Sequence, residues 1–200
     1  MKKQILITIG REYGSGGHDL AVLLSQRLGI RMLDRELIDE LWKNDPEMQR
    51  LAQEYDERPV NRILSRKINE FDNSIPHNVA QRQFDMIRQI ADSGESAIFV
   101  GRCADYVLRN QSGVDALNLF IHAPMEERIR RVREEYKVQA PDLRLYILKQ
   151  DKNRAAYYEH FTDGQWGKAQ NYHLAVSSGL GLETIVRLLT DLMRDRGLGA

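Results

Sequence analysis

The chain contains one cysteine, Cys103, so no intramolecular disulfide can form, and a reducing, cytoplasmic setting is expected. It has no excess charge: 29 basic residues balance 29 acidic ones. That balance excludes a global pull toward nucleic acid or an anionic membrane, and neither is expected as a partner. No apolar run approaches the ~20 residues that cross a bilayer. The start, "MKKQILITIG", sets two lysines before a short apolar run, as a signal peptide does. However, Arg11 and Glu12 end the run and no small-residue cleavage site follows, so it reads as a first buried strand. Internal repeats and low-complexity tracts are also missing. A local basic site for a small anion stays compatible with all of this.

What is present suits one domain spanning residues 1–200, since 42% hydrophobic residues in 200 can form a real core. Strand and helix patterns alternate. "QILITIG" (Gln4–Gly10) is aliphatic and β-branched, as a central parallel strand buried on both faces requires. Leu20, Ala21, Leu23, Leu24 and Leu28 then fall at helical spacing until Gly29. Further strands are expected at Ile30–Asp34, Ser96–Gly101, Leu117–Ala123 and Tyr172–Ser178. "RELIDELWK" reads as a helix start, "PMEERIRRVREEYK" as a helix with Pro124 near its first position, "DLRLYILKQDKNRAAYYEHF" as one long helix and "LETIVRLLTDLMRDR" as the last. Two of these, the "PMEERIRRVREEYK" and "LETIVRLLTDLMRDR" helices, are charge-striped, and such a stripe is usually a solvated face. Repeated βα units imply a parallel sheet with helices on both faces. Residues 45–93 break the pattern with polar, Arg- and Gln-rich helical segments punctuated by Pro46, Pro59 and Pro76. This insertion of two or three helices either covers a substrate, builds a homodimer, or is a plain helical layer.

The stretch Arg11–Asp19, "REYGSGGHD", lies between the first strand and the first helix. Three readings compete for it. Gly14, Gly16 and Gly17 suit a phosphate loop whose backbone N–H groups clasp an anion, aided by the positive end of the helix dipole. The pattern G-x-x-x-x-G-K-[ST] fails on strict matching, because Arg11 stands at its first glycine and Gly17 at its lysine. A dinucleotide fingerprint is the second reading, with Gly14-x-Gly16 and an acid, Asp34, 20 residues after Gly14; its third glycine is replaced by Asp19. A tight turn that binds nothing is the third.

Transfer of a phosphoryl group needs positive charge around the equatorial oxygens of the transferring group. Arg11, Arg35 and Arg102 stand at predicted strand ends, where an open α/β sheet forms its ligand crevice, and Lys152 and Arg154 lie on the long late helix. Any one of these alone would read as a solvated charge. His122, at the end of the fourth strand, reads as structural.

Five blocks in order carry a resemblance: "REYGSGGHDLAVLLSQRLGIRMLDRELI", "FVGRCADYVL", "NLFIHAPMEERIRRV", "QDKNRAAYYEHFTDGQWG" and "YHLAVSS". Together they resemble the cytidylate kinase-like family, bacterial relatives of cytidylate kinase in the nucleoside monophosphate kinase group. The resemblance runs from about Gln4 to Leu189 and is weakest over residues 45–71. It implies a P-loop kinase fold with a five-stranded parallel sheet of order 2-3-1-4-5. It also implies transfer of the γ-phosphoryl group of ATP to CMP or dCMP, with Mg2+.

In the resemblance, Gly14, Ser15, Gly16, Gly17 and His18 fall in the nucleotide loop, with Asp34, Arg35 and Arg102 on the side of the monophosphate. Cys103 replaces an acid of the family's Gly-Arg-Asp element. "QDKNRA" matches the lid, spanning about 149–168, with Arg154 closing on the phosphates, Asp151 orienting it and Lys152 a weaker candidate. Gly164 and Gly167 offer hinge freedom; Trp166 either packs on closure or belongs to the core. The family's loop commonly reads Arg-x-Tyr/Phe-Gly-Ser-Gly-Gly-Arg, so the missing lysine belongs to the group, while His18 in place of the last arginine belongs to this chain. Arg11 and Arg154 are the expected substitutes for the lysine. Magnesium ligands are not specified: Asp19 is either one of them or a first-turn acid favoured by the helix dipole. Two other functions stay open: a nucleotide-binding module that has lost catalysis, and a kinase with another acceptor.

Overall fold

The computed structural model describes residues 4–34, 41–55 and 74–197. β1 (Leu6–Arg11) lies at the centre of a parallel sheet. β3 (Ala97–Val100) and β2 (Arg31–Leu33) follow on one side, β4 (Ala116–His122) and β5 (Leu174–Ser177) on the other. The order is β2-β3-β1-β4-β5, the order that the resemblance implies. Registers such as Ile7 beside Ile98 and Leu117 align the carboxyl ends of the central strands at one rim.

The alternation of β1 divides the core into two layers. Ile5, Ile7 and Ile9 face α1 (Gly17–Leu28) and α7 (Leu182–Asp195), packing with Leu20, Leu24, Ile185 and Leu189. Leu6 faces the other way, where Phe99 meets α3 (Ser74–Asp92), α4 (Ala104–Arg109) and α6 (Leu143–Phe161) through Phe84, Ile87, Val107 and Tyr158. Thr8 shares that second face and donates from its hydroxyl to Asn118 Oδ1 at 2.8 Å, so this buried polar pair is satisfied inside the sheet.

Element boundaries follow local chemistry. Gly29 adopts φ 65° and its N–H closes α1 on Ser25 O, the left-handed stop that glycine permits. The Asp142 carboxylate caps α6 by accepting from Leu145 N at 3.0 Å. α6 is the single long helix that its sequence predicts. The last strand starts two residues later than expected, because a short 3-10 turn at Ala169–Asn171 delivers the chain into β5. Within residues 45–93, α2 (Pro46–Tyr55) and α3 are the described helices; Pro59 and residues 56–73 lie outside the described residues, as does most of "RELIDELWK". α5 (Met125–Glu134) follows β4. Among the described residues, no helix is long and apolar enough to cross a membrane.

Ile7 is fully buried at the centre of the first layer. Ile7→Ala is expected to lower unfolding free energy by about 2–5 kcal/mol, measured by denaturant titration. A loss near zero would mean that the central strand is not the core of this layer.

Candidate nucleotide and acceptor site

β1 ends at Arg11, and Glu12 N still bonds to Ile121 O, so the chain leaves the sheet at the rim beside β4. The next residues are held from outside. Glu12 accepts from Ala123 N at 3.1 Å and pairs with Arg128 at 3.2 Å. Tyr13 N donates to Asp151 Oδ1 at 2.8 Å, while Tyr13 O accepts from Arg128 Nε at 2.8 Å. Arg128 also pairs with Asp151. One helix turn on, Arg131 donates to Gly14 O at 2.9 Å. The helix that supplies both arginines lies so close that a Cβ on Gly14, at φ 76°, would meet Val132 Cγ2 at 2.8 Å. α1 then begins at Gly17 with no side chain capping it, which leaves first-turn N–H groups at the mouth of the loop. These are the donors and the dipole end that an anion takes.

The position of the missing lysine has a steric explanation. A Cβ on Gly17 would stand 2.6 Å from Arg11 Cβ. Arg11, where the standard pattern has glycine, fills the room beside the loop, and Gly17, where the pattern has lysine, gives it up. The two departures from G-x-x-x-x-G-K are one exchange of bulk.

Asp34, just past β2, gathers the charge of the rim. Its Oδ1 lies 2.7 Å from Arg102 and 3.8 Å from Arg11, and its Oδ2 lies 2.9 Å from His18 Nδ1. Burial alone would raise this carboxyl. The His18 hydrogen bond and the charges of Arg11 and Arg102 outweigh burial and hold it far below the carboxylate range. In return, the Asp34 hydrogen bond raises His18 above its ordinary value, against partial burial. The histidine that replaces an arginine is therefore held toward its cationic form without a bound phosphate.

Arg102 reaches Asp34 from a constrained turn. Gly101, Arg102 and Cys103 all have positive φ, at 77°, 54° and 55°. Left-handed backbone costs a non-glycine residue about 1–2 kcal/mol. Here it folds the Arg102 guanidinium back onto Val100 O (2.9 Å) and Asp34. Strain of this kind gathers at functional sites. Cys103 is buried at the start of α4 and lines the same crevice.

That crevice opens at the carboxyl ends of β1 and β3, as expected for an open α/β sheet. Arg11, Arg102 and Arg154 line it, with Tyr157, Tyr158 and Trp166 as its aromatic wall. Arg154, on α6, donates to Arg11 O at 3.1 Å and stacks over the Tyr13 ring at 5.3 Å. Trp166 packs edge-on against Phe120, 5.4 Å between centroids, and also faces the crevice, so it serves the core and the site together. At the same rim, burial raises the Asp105 carboxyl, against a 2.7 Å hydrogen bond from Tyr158 and the charge of Arg109.

The structure thus brings together Arg11, the glycines, His18, Asp34, Arg102 and Arg154. Arg35 lies outside the described residues. Asp151 accepts from Tyr13 N and pairs with Arg128, while Arg154 donates to Arg11 O. Sequence reasoning missed Glu12, Arg128, Arg131 and Asp105. The helix "PMEERIRRVREEYK" reads as a solvated stripe, yet Arg128 and Arg131 are buried. Their signal is spacing: Arg128, Arg131 and Val132 share one helix face, and Val132 fixes that face inward.

A five-stranded parallel sheet of this order with a glycine loop after β1 is the P-loop kinase fold. The model of the cytidylate kinase-like family matches residues 6–180, and the chain belongs to that family. Comparison with curated protein sequences gives no match. Among solved structures, an uncharacterized protein from Eubacterium ventriosum is similar over 96% of this chain and 99% of its own, with a TM-score of 0.71 at 26% identity. Shikimate kinase from Bacteroides thetaiotaomicron shares the fold over 95% and 98% of the two chains, with a TM-score of 0.58 at 15% identity. The APS kinase of Mycobacterium tuberculosis, solved in complex with AMPPNP and APS, does so over 97% and 99%, with a TM-score of 0.54 at 17% identity.

The His18–Asp34 contact has a pH signature. Because His18 is raised in the folded protein, its contribution to stability is complete below about pH 6.5 and fades as pH rises through the folded value. In an NMR titration the His18 ring is expected to titrate above about pH 6.5, and to move down in Asp34→Asn. An unchanged midpoint in that variant would show that Asp34 does not hold the proton.

Proposed function

We propose that the protein transfers the γ-phosphoryl group of ATP to a nucleoside monophosphate, with CMP or dCMP as acceptor. The observation that carries this reading is the convergence of Arg11, Arg102 and Arg154 on one crevice beside the glycine loop. Three cations there match the charge of a phosphoryl group in flight between donor and acceptor. Family membership supports the same chemistry.

In this reading Gly14, Gly16, Gly17 and His18 hold the donor phosphates through backbone N–H groups and the dipole of α1, and Ser15, whose N–H donates to Glu12 O at 3.3 Å, adds its hydroxyl. Arg11 and Arg154 carry the role of the loop lysine: Arg11 occupies the space beside Gly17, and Arg154 already bonds to the backbone of Arg11. Arg102 and Arg35 receive the acceptor's phosphate, and Asp34 positions Arg102 until it arrives. Asp151 keeps the loop in shape through Tyr13 and Arg128. Residues 149–168 act as the lid and 45–93 as the cover on the acceptor side. Magnesium, when bound, offsets the charge of the donor phosphates. Ser15 Oγ and Asp19 Oδ2 fit it, since both are buried oxygens with no partner among the described residues. The aromatic wall of Tyr157, Tyr158 and Trp166 offers apolar faces to the remainder of the acceptor.

Release of ADP from Mg-ATP, with CMP, dCMP, UMP and AMP added in turn, tests the reading. Acceptor-dependent ADP is expected with CMP or dCMP, and a fall of about 10³-fold or more in Arg11→Ala and in Arg154→Ala. ATP binding without acceptor-dependent ADP would overturn it. That result would select a nucleotide-binding module, which the paired charges at Asp34 and the absent lysine favour, or a kinase with another acceptor.

The exchange of bulk makes a separate prediction. Gly17→Lys alone is expected to distort the loop and abolish ATP binding in calorimetry, because its Cβ meets Arg11. The double variant Arg11→Gly/Gly17→Lys restores the standard spacing and is expected to recover binding. Normal binding by the single variant would refute the steric account.

A further inference from the structure

Away from the crevice, two histidines from distant parts of the chain meet ring to ring. His77 lies in the first turn of α3 and His160 at the last turn of α6. Their Nε2 atoms are 3.1 Å apart, with ring centroids at 5.1 Å. Phe161 packs edge-on against both, at 5.2 Å from His77 and 4.7 Å from His160. Nothing in the proposed phosphoryl transfer uses them.

Two imidazole nitrogens that face each other at this distance have two physical accounts. One is a hydrogen bond, with a neutral ring donating to the other. The other is a shared cation in place of the shared proton. Metal–nitrogen bonds of about 2.0–2.1 Å place two ligands about 2.9 Å apart at a right angle and about 3.3 Å apart at a tetrahedral angle. The observed 3.1 Å lies between these, so a metal needs only a small outward turn of the rings. The nitrogens are on separate elements whose packing is already fixed by Phe84 against Phe161 (5.9 Å) and by Tyr157 donating to Gln83 (3.4 Å). The ligands are thus preorganised before any metal arrives. His77 is exposed and His160 partly so, which gives an ion and its waters access.

We propose that His77 and His160 form a two-histidine site for a divalent transition-metal ion of the kind that imidazole favours, such as Zn2+ or Ni2+. Among the described residues, no group of three or more histidine, cysteine or acidic side chains forms a larger cage. The ion pins the first turn of α3 to the last turn of α6, the helix that carries Arg154. It acts as a staple between the acceptor-side insertion and the lid helix, and it requires both rings to be neutral. This inference does not depend on the proposed phosphoryl transfer.

The test is calorimetric titration of the untagged, full-length protein with ZnCl2 near neutral pH, without nucleotide. One saturable site per chain is expected, lost in His77→Ala and in His160→Ala and kept in His122→Ala. Co2+ in place of Zn2+ is expected to give visible absorption bands that disappear in the same two variants. Because the ligands are 83 residues apart and meet only in the folded chain, Zn2+ is also expected to raise Tm in the wild type and not in either variant. Circular dichroism of each variant confirms that it is folded. No saturable heat at millimolar Zn2+, or a site that survives in either variant, would overturn the proposal and leave the pair as a hydrogen bond.

Discussion

The glycine loop has no lysine to anchor it, and its shape depends on a guanidinium buried behind it. Arg128 is 4% exposed and bonds at once to Glu12, Tyr13 O and Asp151. Each contact comes from a different place: the exit of β1, the loop itself and helix α6. Removing the arginine would leave the Glu12 and Asp151 carboxylates without their cation and Tyr13 O without its donor. The loop's outward-facing carbonyls are thus taken up by Arg128 and Arg131. The start of α1 has no side-chain cap, so its first-turn N–H groups can serve an anion.

The same separation of roles organises the charge at the rim. Asp34 collects Arg11, Arg102 and His18, so the cations that face the crevice are held in place and kept from repelling one another. Asp34 lies after β2, His18 on α1 and Arg102 after β3. One carboxylate therefore ties the start of α1 to the ends of β2 and β3. The strained backbone at Arg102 and Cys103 is the local cost of aiming Arg102 at it.

Helix α6 is the third part of this arrangement. Asp151 faces the loop, Arg154 lies over Tyr13 and Arg11 O, and Tyr157 and Tyr158 form the crevice wall. A single helix that starts at the Asp142 cap thus presents a brace, a cation and an aromatic surface at successive turns. Its far end meets α3 through His77 and His160.

The sequence by itself determined the fold and the loop, because both rest on local, periodic signals. Period-two and aliphatic runs mark β1, β3 and β4, helical spacing marks α1 and α6, and three glycines between strand and helix mark the turn. Arg11 and Arg102 were legible as candidates because strand ends face the crevice in any sheet of this kind, and Arg154 because "QDKNRA" resembles the family's lid. Which groups touch was decided only in three dimensions. Arg128 and Arg131 looked like members of a solvated stripe, and they became the loop's anchors because Val132 turns their helix face inward. Asp151 looked like a partner of Arg154, and the approach of α6 brings its carboxylate to Tyr13 N and Arg128. The exchange between Arg11 and Gly17 was visible as two departures from a pattern. Only the 2.6 Å clearance between their Cβ positions shows them to be one, since sequence records the identity of neighbours and not the volume they share.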